Sequence, residues 1–150
     1  MPGAGGTHGL VAITCGGKLD AFVRPRRLGR VFAETGFRLF PDRATTLFPD
    51  VAFVRTERML SPEQLDRFLR LVPDLAVEIV SPTDYPKLLD QKLAAYAEAG
   101  TPEVWVLRLR DLTVEIFRSG RRVALLSRDD MLSSDDLLPG FSVRVGDLFE

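Results

Sequence analysis

Cysteine, lysine, histidine and long apolar runs are all scarce in this 150-residue chain, and each scarcity removes a class of protein. The one cysteine, Cys15, has no partner for an intramolecular disulfide, so stability must come from an apolar core and a reducing cytoplasm is the expected setting. No stretch is long and apolar enough to span a bilayer, and Met1-Pro2-Gly3-Ala4-Gly5-Gly6 lacks the basic flank and apolar run of a signal peptide. A formal net charge of -1 and a pI near 5.9 supply no global positive field for nucleic acid. They leave room for an enzyme whose acidic pocket offsets local basic patches. With 45% hydrophobic residues the chain can bury one good core, which predicts a single domain over residues 1–150.

Against this background one residue stands out. Leu75-Ala76-Val77-Glu78-Ile79-Val80 reads as a strand buried on both faces, bounded by Pro73-Asp74 and Ser81-Pro82, with Glu78 in its middle. A buried carboxylate without a partner costs several kcal/mol, so Glu78 must meet a cation, a hydrogen-bond network or a proton. A structural salt bridge to one of the many arginines is the plain alternative to a metal or catalytic site.

The rest of the pattern supplies the frame. A helix is expected from His8 to about Arg24, with Leu10, Ile13 and Phe22 on its apolar stripe. Strands follow at about Arg30 to Leu39 and Phe48 to Arg55, around the turn Pro41-Asp42-Arg43. Ser61-Pro62-Glu63-Gln64 has the capping pattern of a helix start, with Leu65, Phe68, Leu69 and Val72 as its stripe. After the Glu78 strand, Ser81-Pro82-Thr83-Asp84 offers caps for a helix from Pro86 to Ala99, stopped by Gly100 and Pro102. Three strands are expected at Glu103 to Leu109, Thr113 to Arg118 and Arg122 to Ser127, and Leu138-Pro139-Gly140-Phe141 turns into a last strand, Ser142 to Val145. The order predicts an α/β fold, with helices packed on a mixed sheet.

Asp74 has the parity to share a face with Glu78, but four residues along a strand is about 13 Å, too far to share one ion comfortably. A neighbouring strand lies only about 4.8 Å away, and Pro49-Asp50-Val51-Ala52-Phe53-Val54 brings a carboxylate at its head. Asp50 is therefore the first candidate partner, while Asp42 and Asp74 suit turn or strand-start roles. The chain has only three lysines, Lys18, Lys87 and Lys92. Lys92 recurs with Leu89, Leu93, Tyr96 and Ala99 on the stripe that should face the sheet, and Lys87 lies on another side. An inward lysine needs an anion, unless it snorkels its head into water. Two carboxylates, a hard cation and an ammonium form an arrangement suited to phosphodiester hydrolysis. Tyr96 and Trp105 read as core.

Taken together, the Phe48-to-Val54 and Pro73-to-Pro82 segments, Lys92-Leu93 with Tyr96, Gly100 with Glu103-Val104-Trp105-Val106, and Leu138-Pro139-Gly140-Phe141 resemble the Uma-two family of restriction-endonuclease-like proteins, within the PD-(D/E)XK nuclease superfamily. The likeness covers about residues 8 to 149. It implies a restriction-endonuclease-like core, a divalent metal (Mg, or Mn in its place), DNA as substrate, and the dimeric state common among superfamily relatives. Carried over, Asp50 and Glu78 become metal ligands and catalytic residues. The superfamily's usual lysine would fall at Val80, so Lys92 becomes its relocated counterpart. Family members commonly carry a further acidic residue ahead of the first helix, whereas this sequence begins almost at Thr7-His8. His8 matches a histidine often found at the head of that helix, a position where a cap or surface group is the commoner role. The activity so implied is a metal-dependent DNA endonuclease; the alternative is a catalytically silent domain of the same fold that binds nucleic acid or a protein.

Overall fold

The structure is a computed structural model that describes residues 5–150. Its centre is a six-stranded mixed sheet in the order β1-β4-β5-β6-β7-β8, formed by Gly29–Ala33 (β1), Val51–Arg55 (β4), Leu75–Val80 (β5), Glu103–Arg108 (β6), Thr113–Arg118 (β7) and Arg121–Leu126 (β8). Only β5 and β6 run parallel; the other neighbours are antiparallel. A parallel pair needs a crossover, and helix α3 (Pro86–Ala99) provides it. Pro86 opens that helix, and Gly100 closes it at φ 86°, a left-handed conformation that glycine adopts without a Cβ penalty. The expected caps are absent: Asp84 instead accepts the Ser81 N–H at 2.8 Å, folding the connection into a tight turn.

Each face of the sheet has its own core. Helix α1 (Gly6–Val23) covers one face with Val11, Cys15, Leu19 and Val23, together with the hairpin of β9 (Met131–Ser134) and β10 (Leu138–Arg144). Of the expected α1 stripe only Phe22 packs on this core; Leu10 and Ile13 are exposed, and the buried line runs through Val11, Cys15, Leu19 and Val23 instead. Cys15 is fully buried, and desolvation pushes its thiol up to about 12. Tyr96 of α3 and the short pair β2 (Phe37–Arg38) and β3 (Thr46–Leu47) cover the other face.

Two expected elements are shorter than their patterns suggest. The strand predicted from Arg30 to Leu39 breaks at Glu34, which has φ 48°, and at Gly36, where a Cβ would come within 2.8 Å of Phe68 and 2.9 Å of Phe48. The Ser61 capping box forms, but its helix α2 spans only Pro62–Leu65. Leu69 then leaves the helical path and exchanges backbone hydrogen bonds with Gly36 and Arg38, at 2.9 and 2.8 Å. Leu69 is buried by that pairing, while Phe68 stays exposed. The last strand starts earlier than expected because Leu138 already pairs with Ser134, and the pairing resumes at Ser142 after a bulge.

Candidate functional site

Val51 pairs with Val77 and Ala52 with Ala76 across the antiparallel β4–β5 ladder. Continuing that register by one residue sets Asp50 opposite Glu78, on the same face. Asp50 is fixed there by its Oδ2, which accepts the Ile79 N–H at 2.7 Å. Its Oδ1 lies 3.1 Å from Nε2 of His8, at the start of α1. Glu78 is 3% exposed at its side chain, and its Oε1 lies 2.9 Å from the Lys92 ammonium. The Tyr96 hydroxyl donates to Glu78 Oε2 at 3.4 Å. Lys92 and Tyr96 stand one turn apart on α3, so the helix presents both to the same carboxylate.

The structure therefore brings Asp50, Glu78 and Lys92 together, and the cation on Glu78 is a lysine, not an arginine. Arginines serve the other buried carboxylates. Arg58 lies 2.8 Å from Asp74, whose other oxygen accepts the Arg55 N–H. Arg118 donates to Glu103, which also accepts Trp105 Nε1 at 2.7 Å. Arg108 and Arg122 flank Glu115. These sites have a full set of donors and read as structural. Lys87 is exposed and makes no ion pair among the described residues.

Electrostatics separates Glu78 from an ordinary ion pair. Burial pushes its carboxyl up to about 7 despite Lys92 beside it, and the Asp50 charge adds to the rise. Burial also raises Asp50, against the opposing Ile79 hydrogen bond and the His8 and Lys92 charges. Burial alone would lower Lys92, but Glu78, then Asp50 and Asp84, outweigh it and hold the ammonium above its usual range. Two carboxylates are thus held close together at a cost that a further positive charge would relieve.

His8 and the Tyr96 hydroxyl are the site contacts that sequence reasoning missed. His8 is the only histidine in the chain, which was a usable signal. Tyr96 is core as expected, yet its helical spacing from Lys92 also pointed its hydroxyl to Glu78.

Among the described residues no cluster of three or more His, Cys, Asp and Glu side chains is arranged to hold a metal ion. The two carboxylates nevertheless suit magnesium, which is commonly bound through one or two carboxylates, with waters and substrate phosphates completing its shell. No helix of the described residues is long and apolar enough to cross a membrane.

Comparison with solved structures finds a protein described as "a putative nuclease belonging to DUF820" from Anabaena variabilis, with a TM-score of 0.83. The two are 20% identical, over 99% of this chain and 83% of that one, a likeness that shows a shared fold. No curated protein matches the chain. A family model described as "Putative restriction endonuclease" matches residues 1–146, so the chain belongs to the Uma2 family.

Proposed function

We propose that this protein is a divalent-metal-dependent endonuclease that hydrolyses phosphodiester bonds in DNA. The observation that carries the reading is the carboxylate pair. Asp50 and Glu78 face each other across two strands, and Glu78 is pushed up to about 7 with a lysine already at 2.9 Å. A structural ion pair gains nothing from a second carboxylate beside it, whereas a cation site requires one.

Asp50 and Glu78 would hold the ion, magnesium or manganese, and when bound it would polarise a phosphate oxygen and lower the pKa of water. The protein's own groups do the rest. Ile79 N–H and His8 fix the Asp50 carboxylate, and Tyr96 steadies Glu78 Oε2. Lys92, 43% exposed at its side chain, keeps its charge and can turn from Glu78 toward a phosphate oxygen or an attacking water. The family model supports the nuclease reading, and the Anabaena protein shares the fold on which the site is built.

Asp50→Asn tests it, since the amide oxygen can still accept the Ile79 N–H. The parent protein should cleave DNA in magnesium or manganese and stop in EDTA. The variant should fold normally and lose at least about a hundredfold in rate. Metal-dependent cleavage of no DNA substrate by the parent, with equal DNA binding by parent and variant, would establish the silent domain instead.

A further inference from the structure

Beside the carboxylate pair lies a cavity of about 250 Å³, lined in part by Val80, Tyr85, Asp84, Asp90, Arg110 and Asp111. It borders the site on two elements: Val80 is two residues beyond Glu78 on β5, and Leu89 is one helical turn before Lys92 on α3. Its size falls just under the roughly 300 Å³ at which pockets for whole drug-sized ligands begin, which suits a single flat ring system.

The lining decides what that ring system is. Three aspartates argue against a phosphate inside the cavity, because one of its arginines, Arg108, is already committed to Glu115. Carboxylates in this position accept N–H donors, such as the exocyclic amino group of a base. Tyr85 is 73% exposed at the rim, on a segment fixed by Pro86 and by the Ser81–Asp84 turn. An aromatic ring so exposed contributes little to the core, but it offers a stacking surface, and base stacking is worth about 1–3 kcal/mol per base. Arg110, exposed and without an ion pair among the described residues, can meet the backbone leaving the cavity.

We propose that this cavity is a base-binding subsite, which takes the nucleobase next to the phosphate held at Lys92 and so selects an unpaired DNA strand. The inference rests on the nuclease reading and names its substrate class. A base stacked within a duplex cannot enter a cavity of this kind, so single-stranded or flap ends are favoured over continuous duplex.

The test is binding of two trinucleotides to the metal-free protein, one of deoxyadenosine and one with the same backbone lacking bases. The base-bearing strand should bind at least about tenfold more tightly. Tyr85→Ala should remove that difference and leave the abasic strand unchanged, while Tyr85→Phe, which keeps the ring, should preserve it. Equal binding of the two strands, failure of both to bind, or an unaltered preference in Tyr85→Ala overturns the subsite. A parent that cleaves DNA but binds without regard to bases defeats the subsite alone; one that discriminates bases yet cleaves nothing defeats the nuclease reading.

Discussion

Asp50 and Ile79 share a hydrogen bond at 2.7 Å, from the Ile79 backbone N–H to Asp50 Oδ2, and it anchors one site carboxylate to the residue that follows the other. The spacing of the two acids is thereby set by backbone geometry. The side chains need no ligand to bring them together.

The first prediction concerns Glu78 and pH. Its folded pKa, about 7, exceeds the ordinary carboxylate value of 4.5, so between those values the native state binds more protons than the unfolded one. Stability should therefore fall as pH rises from about 4.5 to 7 and level off above, by roughly 3 kcal/mol in the absence of metal. Urea unfolding of Glu78→Gln against the parent should show that this slope belongs to Glu78. Magnesium should raise the melting temperature of the parent at pH 8 and leave that of the variant unmoved.

Lys92→Met should behave differently on either side of neutrality. The methionine keeps the apolar stem but strands Glu78 without a cation. At pH 8 the loss should be about 1–3 kcal/mol, and near pH 5, where Glu78 holds a proton, most of it should vanish. Plasmid nicking should drop sharply at both values; nicking equal to the parent would remove Lys92 from the site.

Arg58→Ala should separate structure from chemistry. It removes the 2.8 Å partner of Asp74, a buried carboxylate at the opposite end of β5 from the site. A loss of about 1–3 kcal/mol in thermal or urea unfolding is expected, with the metal-induced stabilisation of the parent retained. A lost metal response would mean that the two ends of β5 are coupled.

The segments that position the site were the most legible in the sequence. Strand Leu75–Val80 and helix Pro86–Ala99 have the predicted ends because their boundaries are punctuated by proline and glycine. Asp50 was reachable by elimination, since only an adjacent strand lies near enough to Glu78. What escaped was set by distant partners. Leu69 abandons a well-capped helix to pair with Gly36 and Arg38, a gain that no local propensity encodes. The strand Met131–Ser134 is short and half exposed, and only its pairing with β10 defines it. His8 was visible as a residue but not as a contact, because its aspartate is supplied from the far side of the sheet.

The burial of Cys15 gives the protein a built-in reporter. As the sole thiol, on the buried face of α1 and pushed up to about 12, it should resist alkylating reagents while that helix is docked. Its labelling rate should report openings that expose the buried face of α1, the helix whose first turn also carries His8 to Asp50. A single mass measurement over time would thus record the breathing of the site, with no probe attached to the site itself.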